Sequence, residues 1–462
     1  MTMRTYLAIL VLILIVMNSC TSADKTGDSD VSRKPVQLIT IDPGHFHAAL
    51  IQKSTYSNVD STVYVYAPTG NDLDLHLSRI KAYNSRLESP TNWNQVVYTG
   101  QDFLNRALSE KKGNVVVLAG NNYKKGEYIN KSINAGLNVL SDKPMAITPD
   151  GFELLKQSFA DAEKNNVLLY DIMTERYEIT TMLQKELSLI PEVFGQLEKG
   201  TLENPAVTKE SVHYFYKYVS GNILTRPPWF FDVTQEGEGI VDVTTHLVDL
   251  VQWECFPDQP LDYQKDIQVL TARRWNTDLA LSQFRAITKV DSFPDYLLKD
   301  VKDTVLSVSS NGEINYTIKG IHAKVSVIWG YKAGEGSGDS HFSLMRGTNC
   351  NLVIRQGAEQ KFKATLYIEP VKGTLLSASI LKEAMRKIET KFPGVNVVQD
   401  GKNWEVTIPD KYKEGHEAHF ARVAEKFLEY LKTGSMPEWE VPNMIAKYYT
   451  TTKGLQVARG NK

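Results

Sequence analysis

The residues best placed to do chemistry lie in Gly237-Glu238-Gly239-Ile240-Val241-Asp242-Val243-Thr244-Thr245-His246-Leu247-Val248-Asp249-Leu250. Ile240, Val243, Leu247 and Leu250 recur at helical intervals after a glycine-bracketed turn. On a helix, Asp242 and His246 stand one turn apart on the same side, so the carboxylate can reach the imidazole. Such a partner orients a histidine and favours its protonated form, as general acid–base catalysis needs. A helical polar pair that only packs has the same spacing, so the motif does not decide by itself.

The elements that must carry this motif can be read outward from it. An apolar strand, Val36–Ile41, runs into Asp42-Pro43-Gly44-His45-Phe46-His47-Ala48-Ala49, a turn that opens a helix. A second strand covers Thr62–Tyr66. A third, Asn114–Gly120, is one apolar run, as expected for a strand buried on both faces. A helix over Lys124–Ala135, a strand over Leu137–Leu140, a helix over 149–164 and a strand over Val167–Asp171 follow. This alternation predicts a doubly wound parallel sheet. Beyond about residue 175, strand-like segments (Gln268–Arg274, Thr304–Ser309, Glu313–Ile318, Ala323–Trp329, Ala364–Glu369) succeed one another with few helices between. They predict an open, mostly antiparallel sheet in an α+β region. Helix Leu375–Thr390 and the Asn396–Ile408 hairpin read as an insertion, and helices His416–Lys432 and Asn443–Gly454 close the chain.

A chain of 462 residues with net charge −2 has ample length for two or three domains, and no basic cluster offers a nucleic-acid surface. At the amino terminus Arg4 precedes an apolar run, Tyr6 to Met17, that ends in Val16-Met17-Asn18-Ser19-Cys20. The run is short for a membrane span and resembles a bacterial lipoprotein signal, with Met17 where Leu is usual. On that reading Cys20 is lipidated, residues 1–20 are the signal peptide, and the Ser/Asp/Lys-rich residues 21–35 are a flexible tether. The expected location is outside the cytoplasm, in the periplasm or at the cell surface, attached to a membrane by lipid only. Cys255 and Cys350 are too few for a disulfide framework, and Cys255 lies in an apolar setting that suits a buried thiol.

A first-strand glycine turn, a Lys-Pro after a later strand, and Asp-x-x-x-His at a helix start occur in that order. Together they resemble the glucose–fructose oxidoreductase / inositol dehydrogenase / rhizopine-catabolism family. Its pattern is a Rossmann domain, then Glu-Lys-Pro, then a Gly-rich turn with Asp-x-Gly-x-His. Lys143 matches the family lysine, with Asp142 in place of Glu; Asp242 and His246 match its Asp and His, with Thr244 in place of Gly. Ala135-Gly136-Leu137-Asn138-Val139-Leu140 fits the run that precedes the lysine. The resemblance implies a dinucleotide-binding domain over residues 36–172 and a substrate and oligomerisation domain over 173–462, with the last helices packing back on the first. It also implies NAD or NADP as cofactor, a small carbohydrate as substrate, and a homodimer or homotetramer. Oxidation of a sugar alcohol passes a hydride to nicotinamide while a base takes the hydroxyl proton. His246, oriented by Asp242, is then the candidate base. Lys143 would stabilise charge on the reacting oxygen. Arg176, in Thr174-Glu175-Arg176-Tyr177, sits where family members place a residue near substrate or cofactor; an ion pair with Glu175 or another acid is the alternative.

The cofactor turn departs from the pattern. A Gly-x-Gly-x-x-Gly fingerprint lets backbone approach the pyrophosphate. Here the matching positions are Asp42, Gly44 and His47, so only the central glycine survives. Gly44, His45, Phe46 and His47 remain the expected phosphate-side residues, and the histidines could donate to phosphate. No further ligand accompanies His-x-His in the sequence, so no metal site is expected. The acidic residue expected near the second strand's end is absent, with Asp72 or Asp74 as substitutes. Asn121 and Asn122, with Tyr123, fall where the family lines the nicotinamide side. Tyr214, Phe215, Tyr216, Tyr218, Trp229 and Phe230 make the next region aromatic, which suits stacking on sugars; Tyr216 and Trp229 are the expected substrate contacts. His416 and His419 read as structural or surface residues. The leading expectation is an exported oxidoreductase that holds its nucleotide tightly, because free nicotinamide nucleotide is scarce outside the cytoplasm. A redox-assisted glycosidase and a non-catalytic carbohydrate-binding lipoprotein on the same fold are the alternatives.

Overall fold

Six parallel strands form the first sheet: β1 (Leu38–Ile41), β2 (Thr62–Tyr66), β3 (Asn94–Tyr98), β4 (Val115–Leu118), β5 (Asn138–Asp142) and β6 (Leu169–Ile172), in the order β3-β2-β1-β4-β5-β6. β1, β4 and β6 are buried along their whole length, because helices cover both faces. β3 escapes the sequence pattern. It is a half-exposed edge strand whose five residues, Asn94–Tyr98, carry no inward apolar alternation. The strand order reverses between β1 and β4, so the crevice at their carboxyl ends is where a ligand is expected on such a sheet.

The computed structural model describes residues 35–460 apart from 220, 221, 336 and 375; Cys20, the lipoprotein signal and nearly all of the tether lie outside the described residues. From Val36 onward the chain forms one compact unit. Its second sheet begins with β7 (Val207–Tyr216); β8 (Tyr218–Val219) and β9 (Asn222–Ile223) make a small separate ribbon. The sheet continues through β10 (Ile267–Ala280), β11 (Val301–Lys302), β12 (Val305–Ile318), β13 (Ile321–Lys332), β14 (Ser340–Arg346), β15 (Cys350–Arg355), β16 (Thr365–Pro370), β17 (Asn396–Asp400) and β18 (Asn403–Thr407). Its order is β10-β12-β13-β7-β14-β15-β16-β18-β17, with β11 added beside β12. All its pairs are antiparallel except β7 with β13. The predicted hairpin, β17–β18, extends this sheet at its edge.

Helix Thr244–Cys255 packs on β7 and β13 of the second sheet, and every residue from Thr244 to Gln252 is buried. Wrapped on all sides, its polar residues need partners inside the protein. Asp249 and Glu254 have them, in Arg176 with Lys447 and in Lys209. Glu238, in the turn before the helix, ties that turn to Arg274 of β10 and to Arg459 after the last helix, Glu440–Ala458. That last helix reaches the first sheet through Lys447 Nζ, 2.7 Å from Asp171, and the Tyr448 hydroxyl, which donates to Asp171 at 3.0 Å. The thiols of Cys255 and Cys350 are both free.

Candidate active site

A cavity of 490 Å³ lies between the carboxyl ends of the first sheet and the inner face of the second, lined among others by His45, Gly120, Asn122, Lys143, Asp242 and His246. Lys143 follows β5 and forms a cis peptide with Pro144. Its Nζ lies 2.5 Å from Asp242 Oδ1, and both side chains are about nine-tenths buried. Burial works to discharge the lysine, but the carboxylates of Asp242 and Asp142 overcome it and hold its pKa above the ordinary range. For Asp242 burial pushes the carboxyl up, and Lys143 more than reverses that. Lys125 braces the segment from behind: its buried ammonium donates to the carbonyls of Asp142 and Pro144 at 3.1 and 3.3 Å.

This arrangement corrects one expectation. Asp242 does not orient His246; it neutralises Lys143 instead. Asp242 precedes the regular helix, in a turn, and its carboxylate reaches across 99 residues of sequence. His246 Nδ1 is buried without a hydrogen-bond partner among the described residues. Burial and then the neighbouring Lys143 charge press its pKa down to about 3, so the imidazole is neutral.

The other predicted site residues divide. Asn122 and Phe46 line the cavity, but Asn121 caps helix Asn122–Asn134 and donates to Gln235 Oε1 at 2.7 Å. Arg176 is not a cavity residue. Its guanidinium is consumed by Asp249, at 2.7 Å through two nitrogens, and by Glu440 at 3.2 Å. Tyr216 is also displaced. Alternate residues of a strand face opposite sides, so Ser211 and His213 of β7, with Lys217 just after it, look into the cavity. Tyr216 packs beside Tyr218, Tyr331 and Lys332. Trp229 leaves the cavity lining too, its indole N–H donating to Asp72 at 2.8 Å. The aromatic rings that do line the cavity are Phe46, Phe230 and Trp329.

Several cavity residues carried no sequence signal. On the wall opposite Lys143, His213 Nδ1 lies 3.0 Å from Asp339 and Lys217 Nζ 2.6 Å from the same oxygen. His213 Nε2 is buried without a partner among the described residues. Burial pushes the Glu175 carboxyl up, with Glu178 adding to it, to about 7. His416 and His419, read as structural, also line the cavity, and His416 stacks on His47 with ring centres 4.9 Å apart.

The fit of a dinucleotide differs at its two ends. Lys143, His246, Asn122 and the bare backbone of Gly120 leave room for a flat reacting ring beside a small polyol. At the phosphate turn, Asp42 has a positive φ of 45° and its carboxylate is satisfied locally by the Tyr128 hydroxyl at 2.8 Å, with Lys124 at 3.6 Å. Gly44 is roofed: a methyl group there would lie 3.0 Å from the Trp229 ring and 3.2 Å from Asp72. The Gly44 and His45 amides both donate to the Ala119 carbonyl at 3.1 Å. The segment carrying Trp229 is further tied down by the Tyr123 amide, which donates to the Gln235 carbonyl at 3.0 Å. The reacting end fits this conformation; at the phosphate end Trp229 covers Gly44 and the Gly44 and His45 amides are already satisfied.

The two-sheet fold, with Lys143, Asp242 and His246 gathered on one cavity, is that of an oxidoreductase and resembles the glucose–fructose oxidoreductase / inositol dehydrogenase / rhizopine-catabolism type. Residues 183–459, more than half of the chain, match the family model described as "Putative oxidoreductase C terminal domain". The chain belongs to this oxidoreductase family. It is 57% identical to a "putative oxidoreductase" of Parabacteroides merdae of known crystal structure, over 93% of this chain and 98% of that one, with a TM-score of 0.91. More distant structures share the fold. A levoglucosan dehydrogenase in complex with NADH and levoglucosan is 11% identical over 93% and 98% of the two chains, with a TM-score of 0.60. GenD2 from gentamicin A biosynthesis, in complex with NAD, is 15% identical over 93% and 96%, with a TM-score of 0.56. Among curated proteins no match is significant.

Proposed function

We propose that the protein is an NAD(P)-dependent oxidoreductase acting on a hydroxyl of a sugar or glycoside, anchored outside the cytoplasm through Cys20. The observation that carries this reading is the buried Lys143–Asp242 pair on one wall with the unpartnered, neutral His246 beside it. Nicotinamide, when bound, supplies the hydride acceptor or donor. The protein's own groups manage the proton and the charge. The Lys143 ammonium, fixed by Asp242, donates a hydrogen bond to the reacting oxygen and stabilises negative charge there. His246, uncharged, has a free nitrogen lone pair or N–H for the hydroxyl proton. Phe230 and Trp329 offer apolar faces, and the polar groups around them fix the orientation of a polyol. The test is to denature the purified protein and identify any released nucleotide by mass, then to screen sugars and glycosides for reduction of the bound nucleotide. A protein that neither carries nor binds NAD(H) or NADP(H) would end this reading.

One observation favours a second reading, redox-assisted cleavage of a glycoside. Simple alcohol oxidation needs one acid–base group, yet His213–Asp339 and Glu175 add two more on the cavity wall. A transient ketone acidifies the neighbouring C–H, and these groups would take that proton and protonate the leaving oxygen. Release of an aglycone without net change in nucleotide redox state would distinguish it.

A further inference from the structure

We propose that His45, His47 and Asp142 bind one divalent transition-metal cation on the wall of the cavity. One ligand atom from each of the three lies within 4.8 Å of the others. The His45 and His47 Nδ1 atoms each stand 3.0 Å from the same oxygen, Asp142 Oδ2. Metal–ligand bonds of about 2.1 Å give neighbouring ligand atoms separations of roughly 3.0–3.4 Å in octahedral or tetrahedral geometry. Two imidazoles and one carboxylate form a donor set suited to zinc, iron and their neighbours, and it leaves positions open for oxygen donors.

The site arises from two departures from the family pattern that meet in space. His47 occupies the position of the third fingerprint glycine, and Asp142 replaces the glutamate of Glu-Lys-Pro. They are 95 residues apart and joined by hydrogen bonds of 3.0 and 3.1 Å. Either change alone puts a buried polar group where the pattern has none or a longer one; together with His45 they complete a ligand set. The surroundings hold the ligands in place. His416 stacks on the His47 ring, Phe420 packs against the same ring with centres 5.7 Å apart, and Lys125 donates to the Asp142 carbonyl. The adjacent ammonium of Lys143 is turned to Asp242, which leaves the Asp142 side chain to the histidines. All three ligands line the cavity, so the open positions of the cation face whatever binds there.

The experiment uses the full chain, stripped with chelator and reloaded with Zn²⁺ or Co²⁺ alone. One equivalent of zinc surviving dialysis, and visible Co²⁺ absorption bands saturating at one equivalent, are expected. Asp142→Asn and His45→Gln should each weaken binding by about 10-fold or more, measured by calorimetry. His45 is the least buried ligand, so its variant keeps the fold, checked by its melting curve, if Asp142→Asn does not. A stripped protein that takes up neither metal, or variants that bind as tightly as wild type, would overturn the site. None of these readouts involves nucleotide or turnover, so the proposed redox activity stands or falls separately.

Discussion

Lys143 Nζ and Asp242 Oδ1 are 2.5 Å apart in a buried pair that joins the end of β5 to the turn before helix Thr244–Cys255. On the proposed reading the two residues act as one unit, an ammonium held by its carboxylate beside the reacting oxygen. Lys143→Met and Asp242→Asn are each expected to lower kcat by about 10²–10³. The double variant should cost little more than either single one, because groups acting as a unit are not additive. Full additivity in that cycle would separate their roles.

The Arg176–Asp249–Lys447 network is predicted to hold the segment after β6, helix Thr244–Cys255 and the last helix together in a pH-dependent way. Burial pushes the Asp249 carboxyl up, but Arg176 and then Lys447 hold it well below the usual carboxylate range. A carboxylate depressed in the folded state adds stability that is complete above its unfolded pKa of about 3.9 and is lost as pH falls through the folded value. Wild type should therefore lose stability on acidification below about pH 4. Arg176→Met should destabilise by about 3–5 kcal/mol at neutral pH by taking the cation from Glu440 and leaving Asp249 to Lys447 alone. Urea unfolding at neutral and acid pH measures both.

Glu175, with its pKa raised to about 7, titrates inside the cavity at neutral pH. A group raised on folding contributes stability below its unfolded pKa and loses it as pH rises through the folded one. Glu175→Gln is expected to melt higher than wild type at pH 8 and equally at pH 4. It should also flatten the pH dependence of substrate KM between pH 6 and 8. A variant with the wild-type profile would place the neutral titration elsewhere.

Trp229 roofs Gly44 through its hydrogen bond to Asp72. Trp229→Phe removes that donor and should speed nucleotide exchange several-fold, read by stopped-flow fluorescence of NAD(P)H. Unchanged exchange would mean the roof does not gate the turn.

Gly120 is required by its neighbour: a Cβ there would lie 2.4 Å from the Asp42 carbonyl and 3.0 Å from the Gly44 amide. Gly120→Ala is expected to cost about 1–3 kcal/mol of stability by overpacking and to weaken nucleotide binding. Thermal melts and nucleotide titration check the two effects.

The parts legible in sequence were those written in local pattern. β4 announced itself as an unbroken apolar run, and the motif order from Gly44 through Lys143 to His246 marked the family. β3 stayed hidden because an edge strand need not be apolar. Arg176 and Tyr216 were misplaced because spacing along the chain does not say which face of a strand, or which buried acid, a side chain meets. His213, Lys217 and Asp339 were missed because their meeting depends on β7 and the segment before β14 lying side by side.

By itself the sequence determined the order of the apolar elements, the division into an alternating and a strand-rich region, and the candidacy of Lys143, Asp242 and His246. Periodicity and glycine turns act over a few residues, so they are readable without a fold. Only the tertiary structure decided the pairings: Asp242 with Lys143 rather than His246, Asp142 with two histidines, Trp229 with Asp72. The physical reason is that burial obliges each charge to find the partner the packed sheets bring within about 3 Å, whatever its distance in sequence.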